Sequence, residues 1–126
     1  MKSIEIVSIP VSDQARAKEF YLNLGFEVRV EAPFEGDKKW VQLGFPGSDV
    51  SITLVTWFDN MTPGCINGFV IKTDDIEADI KQLAEKGITA GPAQRSPWGM
   101  FAEVKDPDGN RFSLHQGREH CYRLSD

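Results

Sequence analysis

Residues 6–25 read IVSIPVSDQARAKEFYLNLG, and residues 68–87, which read GFVIKTDDIEADIKQLAEKG, repeat their plan at an offset of 62 residues. The aligned pairs are Ile6 with Gly68, Ile9 with Ile71, Val11 with Thr73, Asp13 with Asp75 and Gly25 with Gly87. Each copy runs from a short apolar strand through an acidic helix start to a helix that ends at glycine. A repeat of this size is a supersecondary unit that cannot bury its own apolar face, so we expect the two copies to share a core.

The first copy alternates apolar and other residues at its start, which predicts a strand over residues 4–11. Ser12 or Asp13 then caps a helix, because a short oxygen side chain accepts hydrogen bonds from the first-turn amides. Gly25 suits the left-handed end of that helix. Three further strands are predicted, at residues 26–32, 39–45 and 50–57.

The second copy follows the same order, with a strand over residues 68–73 and a helix capped by Asp74 or Asp75. Asp74 with Glu77 fits a capping box. Two strands, at residues 100–105 and 111–116, form a hairpin around the turn DPDGN at 106–110. In this half the alignment slips slightly. The later pairs are Leu43 with Val104, Ile52 with Phe112 and Leu54 with Leu114.

These elements predict an α+β fold in which two βαβββ modules in tandem form curved mixed sheets around a cup, with the helices on the outside. The chain is then one domain of 126 residues. Its parts are module one at 1–58, a linker at 59–66, module two at 67–117 and a tail at 118–126.

The composition excludes several classes of function. A net charge of −5 argues against nucleic acid or an anionic membrane as the main partner, since both require clustered lysine and arginine. No apolar stretch approaches membrane-spanning length, and no signal-peptide pattern is present. Cys65 and Cys121 are too few and too irregularly spaced for a disulfide framework or a zinc site. We therefore expect a cytoplasmic protein.

Three motifs in order make the chain resemble the vicinal oxygen chelate superfamily, which contains glyoxalase I, extradiol dioxygenases, fosfomycin-modifying enzymes and bleomycin-binding proteins. The motifs are PVSD…FYLNLGF at 10–26, TDDIEADIKQLAEKGI at 73–88 and DPDGNRFSLHQ at 106–116. The resemblance covers about residues 3–116, and the DPDGN turn is its most specific element. It implies a homodimer, with each binding cup built within one chain or from modules exchanged between chains.

The resemblance also implies four inward-facing positions that hold a divalent metal in the enzymes of the superfamily. Matched by motif, these positions are Ile6, Thr53, Gly68 and Ser113. Isoleucine and glycine offer no side-chain donor, and the two hydroxyls are weak neutral ligands. We therefore predict that this chain keeps the fold without the metal, and that it uses no cofactor.

Strand alternation predicts the lining of the cup. If Leu43, Val104 and Leu114 lie under the helices, their neighbours along each strand face inward. The predicted ligand-binding residues are Trp40, Gln42, Thr53, Trp57, Phe101, Glu103, Ser113 and His115. A mostly apolar, aromatic lining with a few polar groups is typical of a small-molecule pocket.

Glu103 and His115 are the candidate catalytic residues. A glutamate beside apolar rings with a neighbouring histidine could act as a general acid/base pair. The alternative is that His115 is solvated at the rim and that Glu103 only orients a polar group of the ligand.

Two classes of function follow from these patterns. The favoured one is a metal-free protein that sequesters a hydrophobic or aromatic compound, similar to the bleomycin-binding members. The other is an enzyme of the same superfamily (a lyase, dioxygenase or transferase), metal-independent through Glu103 and His115 or with a metal site that the motifs do not reveal. The sequence does not identify the ligand.

Overall fold

A computed structural model of the protein describes residues 1–118, and these form two compact units. The first unit comprises residues 1–66 together with the turn at 106–110. Its elements are β1 (Ile6–Pro10), α1 (Gln14–Leu24), β2 (Glu27–Phe34), β3 (Lys38–Gly44) and β4 (Ser51–Val55). The sheet order is β1-β4-β3-β2, with β1 parallel to β4 and the other neighbours antiparallel.

The second unit holds residues 67–105 and continues from residue 111. Its elements are β5 (Phe69–Lys72), α2 (Ile76–Glu85), β6 (Gln94–Ser96), β7 (Gly99–Lys105) and β8 (Arg111–Gly117). The sheet order is β5-β8-β7-β6, again with one parallel pair, β5 with β8. The α+β fold of two βαβββ modules is thereby confirmed. The predicted tail at 118–126 lies outside the described residues except for Arg118.

The strand register confirms the internal repeat residue by residue. Leu43 pairs with Ile52 in the first sheet, and the residues aligned with them, Val104 and Phe112, pair in the second. The parallel pairs agree as well: Ile9 lies opposite Leu54, and Ile71 lies opposite Leu114. The alignment therefore slips twice, by one residue before β3 and β7 and by one more residue in the turns that follow these two strands.

The core of the first unit lies between α1 and one face of its sheet. Ile9, Leu43 and Leu54 are completely buried, as are Ala17 and Tyr21 of the helix. Each large apolar side chain buried in this way contributes about 1.5–3 kcal/mol. Val7 also faces this side but remains partly exposed, because β1 is an edge strand.

The N-cap residues of the two helices are equivalent in the repeat, and they correct one prediction from the sequence. Asp13 accepts from the Arg16 amide and Asp75 accepts from the Ala78 amide, each at 3.1 Å. The helix therefore starts one residue later than a capping box of Asp74 with Glu77 requires, and that prediction is wrong.

Strand β6 was missing from the sequence prediction. It is three residues long, Gln94–Ser96, and pairs antiparallel with β7 at the edge of the second sheet. A short polar edge strand has no alternation to detect, because it buries neither face.

The turn at 106–110 belongs to the first unit by its contacts. Asp106 is buried and accepts four hydrogen bonds at 2.8–2.9 Å, from the Tyr21 hydroxyl, the Asn110 side chain and the amides of Asp108 and Asn110. The Asn110 side chain also donates to the Pro10 carbonyl at 2.9 Å. Burial, followed by the charge of Asp106, raises the pKa of Tyr21 far above its ordinary value, so the hydroxyl stays protonated as a donor.

Candidate functional site

Three aromatic side chains gather on the face of the first sheet that α1 does not cover. Phe34 lies 5.5 Å from Trp40 and 5.3 Å from Trp57 between ring centroids, and the two indoles lie 6.5 Å apart. All three are half-buried. We call this set the aromatic cluster. Half-buried rings at these separations leave apolar surface on which a planar compound can stack.

A row of polar side chains continues from the aromatic cluster across the same face. The Trp40 indole N–H donates to Gln42 Oε1 at 3.1 Å, and Gln42 Nε2 donates to Ser51 Oγ at 3.1 Å. Arg29 Nη1 donates to the same oxygen at 3.0 Å. We call Gln42, Ser51 and Arg29 the polar row. It places an amide, a hydroxyl and a cation in line beside the rings.

Local backbone structure holds Arg29 in place. Arg29 occupies a bulge in β2, where the register with β3 shifts between Val28 and Val30. Its guanidinium lies over Gly44, where a Cβ atom would collide with it. Arg29 Nη2 donates to the carbonyls of Phe45 (2.7 Å) and Ser48, so the cation also anchors the turn between β3 and β4.

Thr53 lies opposite Gln42 in the sheet, but it adds almost no exposed area to the face that carries the aromatic cluster. Its side chain is 1 % exposed, and its hydroxyl donates to the Val41 carbonyl at 3.1 Å. A neutral hydroxyl oxygen is a weak ligand for a divalent metal ion.

The other positions that the resemblance assigns to a metal fit one no better. Ile6 and Gly68 have no donor atom, and Ser113 lies opposite Glu103, whose carboxylate is exposed. Within residues 1–118, no group of three or more histidine, cysteine, aspartate or glutamate side chains is arranged to hold a metal ion. The residues present do not fit the divalent metal of the enzymes.

The second sheet brings Phe101 and His115 together. Their rings stack at 4.3 Å with an angle of 21° between the planes, as expected for cross-strand partners. His115 Nε2 lies 3.0 Å from the Trp98 carbonyl, which can only accept, so this nitrogen carries the hydrogen. Two of the predicted binding residues thus form a small aromatic surface of their own.

Glu103 lacks the enclosure that a general acid requires. Its side chain is 55 % exposed, and its carboxylate lies 4.0 Å from the Arg111 guanidinium. The structure therefore places Glu103 in a surface ion pair with Arg111.

A concavity of about 560 Å³ lies on the helix side of the first unit. Lys18 and Lys39 both contact Glu31 there, at 2.6 and 2.5 Å. These hydrogen bonds lower the pKa of Glu31. Because charged side chains line this groove and aromatic rings are missing from its described lining, it suits an apolar ligand less well than the aromatic cluster does.

Sequence reasoning identified Trp40, Gln42 and Trp57 as candidates but missed Phe34, Ser51 and Arg29. Phe34 lies beyond the predicted end of β2, and Arg29 occurs at a bulge that breaks strict alternation. Ser51 has no distinguishing signal in the sequence, since only its two hydrogen-bond donors give it a role.

The model of the Glyoxalase/Bleomycin resistance protein/Dioxygenase superfamily matches residues 3–114. The chain belongs to this superfamily. Among the described residues, no helix is both long enough and apolar enough to span a bilayer.

Solved structures with similar folds include two proteins from Streptomyces sp. CB03234. TnmS3, described as an antibiotic binding protein, is 38% identical with a TM-score of 0.89, over 94% of this chain and 98% of that one. A glyoxalase/bleomycin resistance protein is 40% identical with a TM-score of 0.81, over 90% and 100%. Among curated proteins, uncharacterized YetH of Bacillus subtilis (strain 168) is 27% identical over 121 residues, 92% of this chain and 99% of that protein.

Proposed function

We propose that this protein is a metal-free binding protein that sequesters a hydrophobic or aromatic small molecule on the face carrying the aromatic cluster. The observation that carries the proposal is the half-buried group of Phe34, Trp40 and Trp57, which leaves ring surface available on a rigid sheet. Among the residues predicted from the sequence, those of the first sheet then supply most of the affinity, and Phe101 and His115 supply less.

The comparisons support the same class of function. TnmS3 is described as binding an antibiotic and resembles this chain over nearly its whole length. We infer from this likeness that the ligand here is an organic compound of similar kind.

The donor set supports the metal-free form of the proposal. The four positions occupied by metal ligands in the enzymes hold Ile6, Thr53, Gly68 and Ser113, of which two have no donor atom and two offer only a neutral hydroxyl. The exposure of Glu103 favours binding over an acid–base reaction. We further propose that the protein is a homodimer, as the superfamily resemblance implies.

The test is a screen of small aromatic compounds by tryptophan fluorescence, with isothermal titration of the hits. Trp57→Ala is expected to weaken binding of an aromatic hit by about 10- to 100-fold, the cost of truncating a packed anchor. Leu22→Ala is the control, because Leu22 is an exposed apolar residue of α1 on the other side of the sheet.

Metal content is measured on the same purified protein by mass spectrometry, and binding is repeated with EDTA. We expect substoichiometric metal and unchanged affinity. Stoichiometric metal that EDTA removes together with binding would overturn the metal-free proposal. A hit whose affinity is insensitive to Trp57→Ala would overturn the assignment of the surface.

A further inference from the structure

The side-chain amide of Gln42 has a fixed orientation. The Trp40 indole can only donate, so the oxygen of the Gln42 amide must face it, and the nitrogen must face Ser51. One Gln42 N–H is used by Ser51. The second has no acceptor among residues 1–118, and Gln42 itself lies two residues along β3 from Trp40 of the aromatic cluster.

Ser51 also has an unused hydrogen-bond donor. Its oxygen accepts from both Gln42 and Arg29, which uses its two lone pairs. The hydroxyl hydrogen has no acceptor within the described part of the chain. Both unused groups of the polar row are therefore hydrogen-bond donors.

The positive charge of Arg29, next to these donors, also favours a hydrogen-bond acceptor. Arg29 is held by carbonyls and by Ser51, and it takes part in none of the ion pairs formed among residues 1–118. A cation without a carboxylate partner favours electron-rich oxygen nearby. Donors and charge together make this edge of the aromatic cluster complementary to a hydrogen-bond acceptor.

We propose that Gln42 is a specificity-determining residue that selects planar aromatic compounds bearing a carbonyl oxygen beside the ring. This inference rests on the proposed function and adds the chemistry of the ligand's edge. The rings of Trp40 and Trp57 contact the plane of the compound, and the unused Gln42 N–H donates to its carbonyl. A compound of the same shape without the oxygen leaves that donor unsatisfied.

The experiment compares two probes of nearly equal shape, 2-acetylnaphthalene and 2-isopropenylnaphthalene, which differ by C=O against C=CH₂. Isothermal titration is expected to give a preference of about 2- to 10-fold for the ketone, the range of one neutral hydrogen bond. Trp57→Ala should weaken both probes and leave their ratio unchanged.

Gln42→Glu is the decisive variant. The carboxylate can still accept from Trp40 and can also accept from Ser51, so the fold is expected to persist, which thermal unfolding checks. It has no N–H for the ketone, so the preference should disappear or invert. Gln82→Glu, an exposed position of α2, makes the same change in net charge and should keep the wild-type ratio.

The outcomes separate the two proposals. Equal affinity of both probes for the wild-type protein, or a ketone preference that survives Gln42→Glu, would overturn this inference and leave the proposed function standing. Failure of the wild-type protein to bind either probe would count against the proposed function and this inference together.

Discussion

Gln42 and Glu103 occupy equivalent positions in the two sheets. Gln42 is part of a half-buried hydrogen-bond network, whereas Glu103 is exposed to solvent. Each lies opposite a hydroxyl residue, and each follows an aromatic residue by two, Trp40 or Phe101. Trp40 has an N–H that needs an acceptor, and Gln42 supplies it. Phe101 has none, so Glu103 pairs with Arg111 at the surface. The repeat fixes where a side chain lies, and its neighbours decide what that position does.

The two hairpin turns differ in the same way. The β3–β4 turn is held by the cation Arg29 from its own sheet. The β7–β8 turn is held by the buried carboxylate of Asp106, which accepts from Tyr21 of α1. The residue of α2 aligned with Tyr21 is Leu83, which is buried but has no polar group. The two modules therefore share the same strand pairing but differ in the polar groups that anchor their turns.

The largest expected effect is that of Asp106→Ala. It would leave four buried or half-buried donors without their acceptor, and each such loss costs about 1–3 kcal/mol. We expect the free energy of unfolding, measured in urea, to fall by more than about 3 kcal/mol.

Asp49→Ala, in the exposed turn of the other hairpin, is the matched control and should change stability by less than about 0.5 kcal/mol. Similar losses for the two variants would contradict the difference between the turns.

The second prediction compares the aromatic residues of the two sheets. Trp57→Ala is expected to cost an aromatic ligand about 1–3 kcal/mol of binding free energy, because the side chain contacts both Phe34 and Trp40. Phe101→Ala should cost less, since the ring is stacked on His115 and belongs to the smaller surface. Titration of one ligand against both variants measures this, and a greater loss for Phe101→Ala would move the site to the second sheet.

The fold could be predicted from the sequence because most of its strands and both of its helices have a periodic pattern of apolar residues. The pairing of Leu43 with Ile52 and of Val104 with Phe112 follows from apolar residues that alternate along the two strands on either side of a turn. The polar row had no such signal. Arg29 reaches Ser51 only because a bulge displaces it, and Gly44 leaves room for its guanidinium. Contacts that depend on a local irregularity cannot be predicted from alternation.

Tyr21→Phe tests the polar anchor of α1 and its dependence on pH. The pKa of Tyr21 is raised in the folded state, whereas an unfolded tyrosine has a pKa of about 10. Below about pH 10 both states are protonated and the contribution to stability is complete. Above it only the unfolded state releases the proton, so stability falls as pH rises, by about 1.4 kcal/mol per pH unit.

Urea unfolding between about pH 8 and 11 measures this dependence. Tyr21→Phe should cost about 1–2 kcal/mol at pH 8 through the lost hydrogen bond to Asp106, and should show a shallower decline above pH 10 than the wild-type protein. Equal slopes for both proteins would mean that the hydroxyl titrates normally and is not held by the carboxylate.

Glu103→Gln is expected to have the smallest effect. It tests the position of the second sheet that is equivalent to Gln42. The ion pair with Arg111 is 4.0 Å long between half-exposed side chains, and such surface pairs contribute about 0–1 kcal/mol. We expect the free energy of unfolding to change by less than about 0.5 kcal/mol and the ketone preference of the ligand site to stay as in the wild-type protein. Gln42→Glu makes the reverse exchange at the equivalent position and should remove that preference. If Glu103→Gln altered the preference as strongly, the second sheet would contribute a polar contact of its own, and the functional difference between the two sheets would not hold.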